Sequence, residues 1–187
     1  MLDYSDLKKG VQIIIDGQPY EILETRLMKK ARGQAILQTK IRNLITGNVL
    51  SKNFQPGESF REAEISKIEA RFIYSHRGKY FFCEKDNPSK RFDLKVEQIG
   101  EVAKFLKPDQ EVIALIFQDK IINISLPIKV QLKVVEAPPA IKGGRAQPGT
   151  KQVILETGAK IAVPLFIERG DIIEINTETG EYVRRIE

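Results

Sequence analysis

Two sets of side chains in this sequence could do chemistry, and they are unequally supplied. The first is the set that breaks bonds or holds metals. The chain has one histidine, His76, and one cysteine, Cys83. His76 stands in a turn-like stretch beside Arg77 and Gly78, and Cys83 follows Tyr80, Phe81 and Phe82. One histidine and one cysteine assemble neither a metal site nor a nucleophile–base pair. The glycines near Gly17 and Gly143-Gly144 do not lead from a strand into a helix, so no phosphate-loop or dinucleotide pattern is present. With no nucleophile, base or metal cluster, the sequence argues against an enzyme. The second set is cationic. Between Glu24 and Glu58 no acidic residue occurs, while Arg26, Lys29, Lys30, Arg32, Lys40, Arg42 and Lys52 do. Such a one-sided run serves either to keep a surface solvated or to displace counterions from a nucleic-acid backbone. The second reading is adopted because the run is continuous and centred on a turn.

The elements that would carry these cations are strands. Residues 18–27 and 35–45 both show period-two patterning, with Leu37, Thr39 and Ile41 alternating with Gln38, Lys40 and Arg42. Between them lies Lys29-Lys30-Ala31-Arg32-Gly33-Gln34, a short polar segment containing a glycine suited to a tight loop. The pattern predicts a β-hairpin with Arg32 at its tip. A second acid-free stretch runs from Glu136 to Glu156 and holds Lys142, Arg145 and Lys151. Arg184 and Arg185 lie beside Tyr182 near the end of the sequence. Cations are thus expected at two separated places, which fits a large, shaped nucleic acid better than a short strand.

The rest of the chain reads as short strands. Residues 1–63 should form a small barrel from strands near 11–15, 18–27, 35–45 and 49–54, with Asp16-Gly17 and Thr46-Gly47-Asn48 as turns and Ile13, Ile15, Ile22, Leu37 and Ile41 as core. A second unit, 64–127, has strands near 71–75, 80–83, 111–117 and 120–124 and one helix over 96–106, where Ile99, Val102, Ala103 and Leu106 recur at helical spacing. Strands plus one short helix suit an oligonucleotide-binding barrel. Its hairpin aromatics Tyr74, Tyr80, Phe81 and Phe82 could stack bases, although alternation must send half of them inward. The third unit, 128–187, has strands near 130–135, 153–155, 160–163, 171–176 and 181–186, with a long loop over 137–149.

The 187 residues carry a net charge of +5, which favours an anionic partner. Cys83 has no second cysteine to pair with, which fits a reducing compartment. Asp3 and Asp6 stand where a secretory leader would be positive, and no apolar run approaches the roughly 20 residues of a membrane helix. A cytoplasmic protein with no membrane partner is expected.

At this point the sequence resembles the bacterial elongation factor P family along nearly its whole length. The most specific part is Lys151, Gly158, Val163-Pro164 and Gly170-Asp171 at fixed spacing, continued by Asn176, Thr179-Gly180-Glu181-Tyr182, by Arg32-Gly33-Gln34-Ala35 and by Asn43-Leu44-Ile45-Thr46-Gly47. The resemblance implies an all-β fold of three small β-barrel domains in an L-shaped arrangement, an SH3-like (KOW-like) N-terminal barrel followed by two OB-fold barrels. It implies a translation elongation factor that binds the 70S ribosome between the peptidyl and exit sites. There it would contact peptidyl-tRNA in the P site and stimulate peptide-bond formation at polyproline stalls. By position, Arg32 would be the tip residue. Lys29, Lys30, Gly33, Lys40 and Arg42 would hold the transfer-RNA acceptor arm, and Lys142, Arg145, Tyr182 and Arg185 the anticodon-stem or messenger side. Many members carry a modified lysine at the tip and others an arginine that receives a rhamnose, so Arg32 implies the arginine branch and a tip-modifying enzyme, with no other cofactor. Two stretches depart from the family. Lys30-Ala31 replaces the Pro-Gly that precedes the tip in many relatives. Gly143-Gly144-Arg145-Ala146-Gln147-Pro148 replaces a loop that carries an aspartate and hydroxyls in many relatives, and the change favours phosphate contact by Arg145 over codon contact. The elongation-factor-P-like paralogues and a general single-stranded nucleic-acid binder are the alternative readings.

Overall fold

The structure, a computed structural model, describes residues 1–28, 35–139 and 149–186. It is built from three antiparallel sheets. The first contains β1 (Leu2–Asp3), β2 (Gln12–Ile15), β3 (Gln18–Met28), β4 (Ile36–Asn43), β5 (Val49–Phe54) and β6 (Ser59–Glu62), in the order β1-β6-β2-β3-β4-β5. The second contains β7 (Ser66–His76), β8 (Lys79–Glu84), β9 (Arg91–Lys95), β10 (Glu111–Phe117) and β11 (Lys120–Ser125), in the order β11-β10-β7-β8-β9. The third contains β12 (Lys129–Glu136), β13 (Thr150–Leu155), β14 (Lys160–Pro164), β15 (Ile172–Asn176) and β16 (Tyr182–Arg185), in the order β14-β13-β12-β15-β16. The second and third sheets curl until their edge strands approach, β9 toward β11 and β14 toward β16. Bringing opposite edges together is how a small sheet limits its exposed backbone donors and acceptors. Among the described residues no helix is long and apolar enough to cross a membrane.

Local chemistry explains the turns. Asp16-Gly17, Arg77-Gly78 and Gln118-Asp119 each place both central residues at positive φ, between 49° and 77°. That is the mirror-image turn whose twist matches the flanking strands. The helix expected over 96–106 is corrected to one turn, α1 (Val96–Ile99), followed by a 3₁₀ stretch, Gly100–Phe105. The cause is Gly100, whose φ of 73° cannot belong to a right-handed helix. The apolar spacing still does its job, because Ile99, Ala103, Phe105 and Leu106 are all buried. His76 is the last residue of β7 and exposed, rather than a turn residue. Strands β1, β6 and β9 are not legible in the sequence because each is too short for its alternation to stand out. In the first sheet Leu7, Ile13, Ile22, Leu37, Ile41 and Phe54 form the core, while Ile15 only flanks it.

Two buried joints connect the sheets. The second and third share one continuous apolar cluster, in which Phe105 and Leu106 from the 3₁₀ stretch and its end join Val130, Leu132 and Ile175. Lys107 adds a hydrogen bond to the Gln131 carbonyl at 3.0 Å. The first and second meet through Leu44, Leu115, Phe117 and Ile122. At that joint the Asn123 amide donates to the carbonyls of Leu44 (3.2 Å) and Gln98 (2.7 Å). Gly47, at φ 76°, faces the Gln98 carbonyl so closely that a Cβ would stand 2.7 Å from its oxygen. Only glycine lets the two backbones approach in this way.

Candidate nucleic-acid interface

The basic hairpin is β3 paired with β4. Its foot is anchored by alternation: Leu37, Thr39, Ile41 and Asn43 face inward and are buried, while Gln38, Lys40 and Arg42 face outward. The two inward polar groups are satisfied. Thr39 donates its hydroxyl to the Lys52 carbonyl at 2.8 Å. Asn43 accepts from the backbone N–H groups of Ile45 (2.9 Å) and Thr46 (3.0 Å), and so shapes the turn that carries Leu44 and Gly47 into the joint with the second sheet. The foot of the hairpin and the joint are therefore one construction, and the direction of the arm is set by the packing of the first sheet on the second.

Above the foot β3 turns outward while β4 stays against the core, with Leu37 buried opposite exposed Leu27. A register shift between Ile22 and Glu24 bends β3. From Glu24 to Met28 every residue is exposed, with Leu27 and Met28 53% and 42% exposed. Pairing continues through Leu27 opposite Leu37 to Met28 opposite Ile36. At about 3.4 Å per residue β3 extends ~14 Å beyond the bend. The tip residues Lys29, Lys30, Arg32 and Gly33 fall between Met28 and Ala35 and lie outside the described residues.

The electrostatics of the arm are less uniform than its composition. Lys40 reaches Glu24 across the strand pair at 3.3 Å, with both side chains more than half exposed. Such a pair contributes at most about 1 kcal/mol and readily exchanges for a phosphate. Arg42, nearer the joint, lines a cleft with Glu21, its cross-strand partner, and with Glu101 and Glu178. Arg26 lines the outward depression with Gln38, Lys40, Ser51 and Asn53. Hence Arg26 and Lys40 form the cationic face of the arm, and Arg42 lies at its acidic foot.

The second expected cluster is dispersed. Lys142 and Arg145 lie outside the described residues, as does most of the long loop. Tyr182 is half-buried against the shared core. Arg185 stands 3.7 Å from the Asp171 carboxylate, with its guanidinium 5.6 Å from the exposed Phe166 ring. Arg184 is engaged by Glu174, a nearly buried side chain that it meets at 3.3 Å and that Lys129 meets at 3.4 Å. The hydrogen bond from Arg184 holds the Glu174 carboxyl below its ordinary range, with Lys129 adding to it and burial opposing it. Residues of the joint, Asn43, Gly47, Gln98 and Asn123, are not singled out by sequence chemistry. The one signal is the stretch 43–47, which carries the family resemblance. Among the described residues no group of three His, Cys, Asp or Glu side chains is placed to share a metal ion.

The fold is an all-β one with a basic strand pair, and the comparisons make the chain a translation factor. The family model described as "Elongation factor P (EF-P) KOW-like domain" matches residues 3–60, and that described as "Elongation factor P, C-terminal" matches 130–185. Elongation factor P of Carboxydothermus hydrogenoformans is 37% identical over 186 residues, covering 100% of both chains. That of Thermotoga maritima is 41% identical over 185 residues, covering 99% of this chain and 100% of the relative. Among solved structures, a translation initiation factor eif-5a family protein from Naegleria fowleri gives a TM-score of 0.45 at 18% identity. Eukaryotic translation initiation factor 5A from Methanococcus jannaschii gives 0.43 at 21%. Each of these two alignments covers 66% of this chain and 94% of the other. The chain belongs to the elongation factor P family.

Proposed function

We propose that this translation factor binds the 70S ribosome between the peptidyl and exit sites and lays its β3–β4 arm along the acceptor end of the peptidyl-tRNA, relieving stalls at consecutive prolines. The observation that carries the reading is the arm itself. Its strands stay paired as far as Met28 opposite Ile36, every β3 residue from Glu24 onward is exposed, and the segment that joins the strands contains Lys29, Lys30 and Arg32 and no acid. A strand pair backed by β5 and anchored by a buried joint is stiff enough to present a cation at its end. Catalysis would belong to the ribosome. The factor would act by orientation, which can lower a barrier by several kcal/mol with no acid or base of its own.

In this reading Lys40, Arg26 and Arg42 hold acceptor-arm phosphates, Arg42 from within the cleft it lines with Glu21. Lys142, Arg145 and Arg185 serve the far end. Arg32 is the residue open to rhamnosylation. The division into domains 1–63, 64–127 and 128–187, set as an L, gives the arm and the third sheet the separation needed to reach two parts of one transfer RNA.

The test is a reconstituted translation reaction on a message with three consecutive proline codons, run with protein isolated from its native cells. Addition of the protein releases the stall, and Arg32→Ala abolishes the release with no large change in thermal midpoint. A stall that persists in the presence of the native protein refutes the proposal. Intact-mass analysis reads whether Arg32 carries a sugar. A general single-stranded nucleic-acid binder would instead bind any oligonucleotide and the ribosome with similar affinity.

A further inference from the structure

The outward face of the second sheet carries an aromatic platform that the reading above does not use. Tyr74 on β7 and Phe81 on β8 are cross-strand partners. Their rings are stacked, with centroids 4.6 Å apart and planes 16° from parallel. Phe72 and Phe82, the next pair, are buried in the core. A register shift between Phe72 and Tyr74 separates the two pairs, and Tyr74 remains 47% exposed. Bulges of this kind re-aim a side chain.

The same face is ordered by register into three rows. Arg71, Cys83 and Arg91 form one row, and His76, Lys79 and Lys95 form another, with Tyr74, Phe81 and Asp93 between them. Rows two residues apart along a strand are about 7 Å apart. Asp93 is held by Lys79 at 3.0 Å. Glu111 continues the Arg71 row onto β10, and it and Glu69 are both engaged by Lys85, at 3.2 and 2.9 Å. Among the described residues Arg71, Arg91 and Lys95 have no ion-pair partner. A half-exposed aromatic stack thus lies between one row that carries Arg71 and Arg91 and another that carries Lys95.

We infer that this face is a second nucleic-acid site, on which an unpaired base of single-stranded RNA stacks against the Tyr74–Phe81 pair while its neighbouring phosphates meet Arg91 and Lys95. An aromatic platform supplies affinity that tolerates any base, since every base has a π-face. The flanking cations supply the salt-dependent part. RNA is chosen over a protein segment because the unpaired cations Arg71, Arg91 and Lys95 stand on both sides of the rings, while Asp93, Glu69 and Glu111 are each engaged by a lysine. RNA is chosen over DNA because the family acts in translation.

The test uses the full chain and two probes of equal length, an eight-nucleotide uridine RNA and its abasic ribose-phosphate counterpart, followed by fluorescence anisotropy. Tyr74→Ala should weaken uridine RNA binding about tenfold and leave the abasic probe unchanged, while Tyr74→Phe binds as the parent does. Should Tyr74→Ala fold poorly, Tyr74→Leu keeps an apolar contact with Phe81 and is expected to show the same loss. Arg91→Gln with Lys95→Gln should lower the slope of log affinity against log salt by about 1.4 for both probes. Ultraviolet cross-linking should place the adduct on the β7–β8 hairpin. Unchanged uridine binding in Tyr74→Ala or Tyr74→Leu, or an equal loss for the abasic probe, overturns the inference. Either result leaves the polyproline reading intact, because that assay depends on the β3–β4 arm.

Discussion

Replacing Gly47 by alanine tests whether the joint between the first and second sheets is a backbone-to-backbone contact. Two costs arise. Gly47 sits at φ 76°, and an L-residue in that region costs about 1–2 kcal/mol. The new Cβ would also stand 2.7 Å from the Gln98 carbonyl oxygen and 3.6 Å from the Glu97 carbonyl oxygen. No rotamer change relieves this, because both atoms are backbone at α1. The gap must open by roughly 0.7 Å to reach ordinary contact at 3.4 Å. The Gln98 carbonyl also accepts from Asn123 at 2.7 Å, so moving it strains that bond. Overpacking of this kind costs about 1–3 kcal/mol more. Gly17 is the control, with φ 77° and nothing within 4 Å of the position an added methyl would take. Gly17→Ala should lose only the conformational part. In thermal unfolding, at about 2–4 °C per kcal/mol for a chain of this size, Gly47→Ala should melt several degrees below Gly17→Ala. Equal melting of the two variants would refute the argument that Gly47 is fixed by the approach of Gln98.

Other outcomes follow from the same geometry. Asn123→Ala leaves the buried carbonyls of Leu44 and Gln98 without their donor and should destabilise by about 1–3 kcal/mol in denaturant titration, with Gly47 and Asn123 variants combining non-additively. Lys40→Gln should change stability by less than about 1 kcal/mol and lower the salt slope of transfer-RNA binding by about one phosphate's worth; an unchanged slope would remove Lys40 from the contact. Glu174 is held below its ordinary value of about 4.5 by Arg184, so its contribution to stability is present above that pH and is lost as pH falls through the lower folded value. Glu174→Gln should therefore be less stable than the parent at neutral pH, with the gap closing in acid; a constant gap would show that the carboxylate's charge is not what matters.

How much of the molecule is legible in its sequence follows from the range of each interaction. Period-two alternation in 36–43 defines both the strand and which side chains face out, because neighbours along one strand are enough to define a face. The turns at Asp16-Gly17 and Thr46-Gly47-Asn48 are legible because positive φ selects residue types locally. The helix expected over 96–106 is too long because apolar spacing runs past Gly100, whose backbone conformation the spacing does not report. Tyr182 and Arg184 look like an exposed basic cluster in the sequence, yet Tyr182 packs partly into the core and Arg184 meets Glu174. Their partners come from other strands, which one-dimensional charge counting does not reach.

The chain's own order of residues determined the all-β class, the basic arm and the family resemblance, since each rests on local pattern or on matched positions along the chain. Tertiary structure alone decided that the Asn43–Gly47 turn is a joint, that Arg42 shares a cleft with Glu21, Glu101 and Glu178, and that Tyr74 and Phe81 stack between a row that carries Arg71 and Arg91 and one that carries Lys95. Those facts depend on which strands pair and in what register, and register is set by packing between residues far apart in the chain.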